Sequence, residues 1–345
     1  DAKHYVPKAK LEAVTAAVIA ACDGADGVVD GVIDDPLRCT WDPQSLVGTA
    51  VGDDTFTAGD AAVVRKIWEG PRGHGGRFLW HGMTRGTNLS ALADTTGVPL
   101  RGKPFGIAQD WLRYFLVQNP KWDAAALTAA EFELLWNQSV EQYGAVIGTD
   151  DPDLTRFRDR GGKVIITHGL ADQLIPHAGS IDYYERVQQR MGGPERTAEF
   201  ARLFLVPGTD HGFRGAGAGP TGLQEAIIRW VEEGKAPESL HAELKDKNGK
   251  VVRTRPLYPY PQVAVYQGSG HMDDAANFVS RAPARGAASP AAGSAAGREL
   301  GFRRRQPIDE RRLGAAQFGD RFRPQLAQPR RLGGTRGEVG QFLGI

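Results

Sequence analysis

Two short stretches carry residues that could work together as an acid and a base. HGLADQLIP holds Asp172 and PGTDHGF holds His211. Each follows a short apolar run, and loops after the carboxyl ends of parallel strands are where α/β folds place their chemistry. An aspartate followed by a histidine at such positions is the order Ser…Asp…His of the α/β-hydrolases. There the carboxylate orients the imidazole, and the imidazole takes the proton of a serine hydroxyl. The residues alone leave alternatives: Asp210 could be the acid, Asp172 a turn cap, and His168 and His177 are competing bases. No G-x-S-x-G elbow is present, and Ser45, Ser90, Ser139 and Ser180 lack the flanking glycines. A nucleophile in hydrolase order would precede Asp1, so the chain reads as a C-terminal portion.

A second constellation is CDGADGVVDGVIDDPLRC, Cys22 to Cys39, with five aspartates between the only two cysteines. Carboxylates that close repel one another unless neutralised. Dense carboxylates among glycines suit a hard cation, and calcium takes six to eight oxygens. Asp23, Asp26 and Asp30 are spaced three and four apart, which is not the EF-hand pattern. A solvated acidic turn is the plainer reading. The cysteines either bridge, closing a loop worth about 3 kcal/mol, or are two buried thiols. A bridge implies an oxidising compartment. Zinc is disfavoured, since no Cys-rich or His-rich cluster accompanies the loop.

These residues need elements to position them. Leu11, Val14, Val18 and Ala21 recur at helical spacing, predicting a helix over Val6 to Ala21, and residues 58–70 and 128–143 also read as helices. From Gly161 the text becomes strand, helix, strand, helix: KVIITHG, IDYYERVQQR, RLFLVPG and TGLQEAIIRWVEEGKAP. That is a parallel α/β unit. The last helix is expected to bury Leu223, Ile227, Trp230 and Val231. Trp41, Trp80, Trp111 and Trp136 supply apolar material to the first half, most simply as core.

Charge divides the chain further. Residues 281–345 hold 13 of the 42 Lys and Arg residues and 5 of the 41 acidic ones, giving +8 and leaving −7 on the other 280. The tail is rich in Arg, Ala and Gly, and reads as unstructured or as the product of a frameshift. Its few aromatic residues argue against nucleic acid as a partner. No apolar run approaches a membrane span.

The stretches CDGADGVVDGVIDDP followed by CTWDP, GKVIITHGLADQLIPHAGSIDYYERV, RLFLVPGTDHGFRGAGAGP and RPLYPYPQVAVYQGSG resemble, in order, the tannase and feruloyl esterase family of secreted carboxylic ester hydrolases. The resemblance runs from Ala2 to about Ser280. It implies an α/β fold: the C-terminal part of an α/β-hydrolase sheet, with a large inserted lid. The division would be a lid over 1–156 containing the loop 22–39, core over 157–280, and the tail 281–345. It further implies Asp172 and His211 as triad members. A structural calcium ion would be held by the side chains of Asp23, Asp26 and Asp30 and the carbonyls of Val28 and Val32, with Cys22–Cys39 as clasp. The substrate would be a small aromatic ester of hydroxycinnamic or gallic type, and the setting extracellular or periplasmic. Gly212 replaces the cysteine that the family commonly bridges to the nucleophile segment, and Val47 and Phe56 stand where it has further lid cysteines. The rival readings are a catalytically inactive fragment or pseudoenzyme, and a calcium-stabilised module that binds aromatic ligands without turnover.

Overall fold

The computed structural model describes residues 5–98 and 101–282; all but the first two residues of the arginine-rich tail lie outside them. The first helix, α1 (Lys8–Cys22), starts at Pro7, whose missing N–H falls where a helix has unpaired donors anyway. Leu11, Val14 and Val18 form its buried stripe. They meet Phe56, Ala61 and Val64, the last two from α2 (Ala58–Glu69), in one core cluster with Ile33, Cys39 and Leu89. Burying each of the larger of these side chains stabilises by about 1.5–3 kcal/mol. Helix α2 begins in a capping box, with Thr57 and Asp60 each accepting from the other's backbone N–H. Asp60 also pairs with the buried Lys10 of α1 at 2.9 Å, and Asp54 meets the same ammonium at 2.7 Å. Burial pulls Lys10 down, but the two carboxylates outweigh it and its pKa is raised.

Helix α3 (Ala129–Ile147) has its own capping box, Thr128 with Glu131, yet buries none of its residues. Its Tyr143 meets a stacked pair, Trp111 on Phe115, whose rings are 4.6 Å apart and 20° from parallel. Its Trp136 approaches Trp80 at 6.3 Å. None of the four tryptophans named from the sequence is fully buried. Trp41 packs against the α1–α2 core cluster, as expected, whereas Trp80, Trp111 and Trp136 lie with Phe115 and Tyr143 in half-exposed aromatic contacts instead of a core.

The α/β unit is present. Strands β1 (Val164–Gly169) and β2 (Ala201–Val206) pair in parallel, from Val164 opposite Ala201 to Gly169 opposite Val206. Between them α4 (Ala178–Met191) packs Ile181, Tyr184, Val187 and Met191 against Phe200, Ala201 and Leu203. Then β3 (Gly219–Thr221), α5 (Leu223–Glu233), β4 (Leu240–Lys245) and β5 (Val251–Leu257) follow, the three strands forming an antiparallel sheet. A hairpin of β6 (Val263–Tyr266) and β7 (Phe278–Arg281) completes the described chain.

One face assignment is corrected. Helix α5 buries Ala226 and Trp230, with Leu223 packed beside them, while Val231 is 58% exposed. Val231 lies about 100° around the helix from Trp230. The indole fixes the inward face, with Lys163 and Arg202 cations 5.7 and 5.6 Å from its ring. Among the described residues no helix is long and apolar enough to cross a membrane.

Candidate active site

Strand β1 ends at Gly169 and strand β2 at Val206, side by side. The turns that leave them are stitched together: Ala171 N–H donates to the Thr209 carbonyl at 3.0 Å, and Leu170 N–H to the Val206 carbonyl at 2.9 Å. Gly169 is required by this approach, since a Cβ there would lie 2.5 Å from the Thr209 oxygen. Asp172 sits in the first turn, buried. Its Oδ1 accepts the N–H groups of Leu174 and Ile175 at 2.8 and 2.9 Å. With Oδ1 engaged, Oδ2 faces His211 Nδ1 at 3.1 Å. The His211 N–H donates to the Gln173 side chain at 3.2 Å, so the second turn is also tied to the first. The imidazole is 43% exposed. Asp172 occupies Nδ1 and leaves Nε2 as the nitrogen available to a reacting group.

The competitors have other partners. Asp210 accepts the Arg214 N–H at 2.9 Å and shapes its own turn. His168 is held by Ser180 and by the Ile175 carbonyl. His177 is 1% exposed. Burial pushes its pKa down to about 3, with help from the neighbouring His168 and His81, so it is neutral. It has no route to a substrate. Of the candidate bases, His211 makes the shorter contact with Asp172, at 3.1 Å, and is the exposed one; His168 lies 3.5 Å from the same oxygen but is nearly buried. His81, buried beside Phe78 and Trp80 and close enough to influence His177, was not singled out from the sequence, where it stands alone in FLWHGM.

In the acidic loop Cys22 and Cys39 are bridged, their Cα atoms 5.7 Å apart. Asp23 is buried and accepts the N–H groups of Asp30 and Gly31 at 3.1 and 2.9 Å. Asp26 accepts from Val28 at 2.9 Å and Asp30 from Val32 at 3.1 Å, both two residues on. Such turns let one carboxylate oxygen shape the loop and still offer lone pairs to a cation. Asp34 is the unmatched member: burial, a hydrogen bond with Asp26 and the charges of Asp26 and Asp30 push its pKa well up. Asp30 Oδ2 meets Arg255 at 2.6 Å and Arg253 at 3.2 Å, two partners that nothing in the sequence pattern points to. Among the described residues no group of three or more Asp, Glu, His or Cys side chains stands where it could hold a metal ion. The carboxylate and carbonyl oxygens of this loop are the donor type a hard cation takes, although the carboxylates do not converge on one point. The loop also touches the His turn, since a Cβ on Gly208, at φ +63°, would meet Val32 Cγ2 at 2.7 Å.

The family described as "Tannase and feruloyl esterase" matches residues 1–281. The chain belongs to this family. A probable feruloyl esterase of Arthroderma benhamiae is 37% identical over 286 residues, which is 80% of this chain and 53% of that protein. Among solved structures, an esterase from Aspergillus oryzae has a TM-score of 0.71 at 29% identity, covering 80% of this chain and 57% of the other. Feruloyl esterase B from the same organism has a TM-score of 0.70 at 28% identity, covering 81% and 57%. The fold is of the α/β-hydrolase type. The chain spans about half the length of the curated relatives it matches.

Proposed function

We propose that this tannase and feruloyl esterase family chain forms the lid and C-terminal core of a serine carboxylic ester hydrolase. It would act on small esters of hydroxycinnamic or gallic-type acids. The observation that carries the reading is the 3.1 Å contact of Asp172 Oδ2 with His211 Nδ1 in a half-exposed imidazole. In that arrangement Nε2 takes the proton of a serine hydroxyl as the oxygen attacks the ester carbonyl, then returns it to the departing alcohol. Asp172 holds the tautomer and stabilises the imidazolium. The acyl-enzyme is released by water, activated at the same Nε2. The serine comes from outside this chain. The half-exposed layer of Trp80, Trp111, Phe115, Trp136 and Tyr143 is suited to an aromatic acid.

The same reading makes the acidic loop a structural calcium site, with the side chains of Asp23, Asp26 and Asp30 and the carbonyls of Val28 and Val32 as ligands. The ion would add to the positive charge that Arg253 and Arg255 already bring to Asp30, and it has no part in the ester chemistry. The Cys22–Cys39 bridge supports an oxidising setting, outside the cell or in a periplasm.

The test is hydrolysis of methyl ferulate and methyl gallate by a protein carrying this chain together with an upstream G-x-S-x-G segment. His211→Ala is expected to lower kcat by about 10⁶-fold. Turnover unaffected by that change would overturn the reading.

A further inference from the structure

One oxygen of Asp172 faces two imidazoles. His211 Nδ1 lies 3.1 Å from Oδ2, and His168 Nε2 lies 3.5 Å from it. His168 belongs to β1, and its side chain is only 10% exposed. Both of its ring nitrogens are engaged: Nδ1 is 2.7 Å from Ser180 Oγ, and Nε2 is 2.9 Å from the Ile175 carbonyl oxygen. A carbonyl has no proton to give, so Nε2 carries the hydrogen. In the neutral ring Nδ1 then accepts from the Ser180 hydroxyl. His177, uncharged, meets this ring edge-on at 6.3 Å and does not compete for either nitrogen.

Ile175 is the link. Its N–H donates to Asp172 Oδ1, and its carbonyl accepts from His168 Nε2–H. The residue is 53% exposed, so these two bonds hold it in place more than packing does. If the carbonyl is freed, the Ile175 amide can leave Oδ1, which then keeps only the Leu174 N–H, and the carboxylate is held less firmly against turning about its own Cβ–Cγ bond. The same Nε2–H, its nitrogen 3.5 Å from Oδ2, lends that oxygen partial positive charge.

We propose that His168 is a positioning residue for the acid–base pair: its Nε2–H closes the Asp turn through Ile175 and keeps Asp172 Oδ2 in line with His211 Nδ1. The proposal rests on reading Asp172 and His211 as that pair. It differs from a merely structural role, in which His168 would fill space in β1 and its proton would not matter.

The experiment is nitrogen-15 NMR of the histidine side chains in the full 345-residue chain at pH 7.5, which reads tautomers and ring N–H protons without any turnover. His168 is expected in the Nε2–H form, and His211 is expected to show a protected Nδ1–H resonance that Asp172→Asn abolishes. His168→Gln, whose amide N–H can stand in for Nε2–H, should keep that resonance. His168→Leu should lose it while still melting cooperatively. Finding His168 as the Nδ1–H tautomer, or an undiminished His211 resonance in His168→Leu, would overturn the proposal. Should His168→Leu not fold, the wild-type tautomer and the His168→Gln spectrum decide. Absence of the His211 resonance from the unaltered chain overturns the pair and this proposal together, and so marks that failure apart from the other two.

Discussion

The buried His177 makes stability at acid pH a direct check on the packing around the two turns. It is 1% exposed, and its pKa falls from 6.5 to about 3 because burial disfavours the cation, with His168 and His81 adding to the effect and Asp172 and the Leu170 carbonyl opposing it. The unfolded chain accepts a proton near pH 6.5 that the folded chain refuses until about pH 3. Between those values the unfolded state binds more protons, so stability falls as pH is lowered. Integrated from pH 7.5, the loss from this one group is about 2 kcal/mol at pH 5 and about 3 kcal/mol at pH 4. Other carboxylates and histidines titrate too. Asp34, for instance, acts oppositely, because its raised pKa gives stability at low pH that is lost as pH rises above the ordinary aspartate value. Comparison with His177→Leu subtracts them. At pH 7.5 the variant loses the bond to Leu170 but removes a buried Nε2 that has no hydrogen-bond partner, two opposing effects of about 1 kcal/mol each. Urea unfolding of both proteins at pH 7.5, 6 and 5 should show the variant gaining about 2 kcal/mol on the wild type across the range. A gap that stays constant with pH would refute the argument, since it would mean that His177 is solvated or already paired in the folded chain.

Millimolar calcium is expected to raise the melting temperature and a chelator to lower it, the stabilisation reaching about 2.7 kcal/mol at a hundredfold excess over the dissociation constant; Asp30→Asn should abolish the response in differential scanning calorimetry. Replacing Cys22 and Cys39 together by serine should cost about 3 kcal/mol in chemical denaturation. The two faces of α5 separate cleanly: Trp230→Ala should destabilise by about 3–5 kcal/mol and the exposed Val231→Ala by no more than about 0.5 kcal/mol, read from urea midpoints.

The parts legible in the sequence are those whose signal is local. The apolar runs in Val164–Gly169 and Ala201–Val206 mark two strands, the first half-buried and the second mostly buried, and the topological rule then places Asp172 and His211 in adjacent turns. The stripe Leu11, Val14, Val18 marks α1. In α5 the moment of the pattern is right but its phase is not, because the small Ala226 lies inside while the branched Val231 faces solvent. Trp80, Trp111 and Trp136 mislead for a related reason, unlike the core-packed Trp41: a large apolar side chain can line an open surface as well as a core. What the text could not carry is pairing at a distance. Arg253 and Arg255 stand in an alternating strand whose exposed valines and polar residues give no hint of Asp30, and His81 meets His177 only through the fold.

The Asp30 ion pairs set an order of events during synthesis. Arg255 follows Asp30 by 225 residues, whereas Cys39 follows Cys22 by only 17. At about 5–20 residues per second, the ribosome needs roughly 11–45 seconds to deliver the arginine after the aspartate. For that interval the nascent loop must manage its negative charge with solvent, a captured cation or its own clasp. Seating β5 on the loop is therefore a late step, and a chain halted before Arg253 would emerge with its acidic loop formed but unguarded.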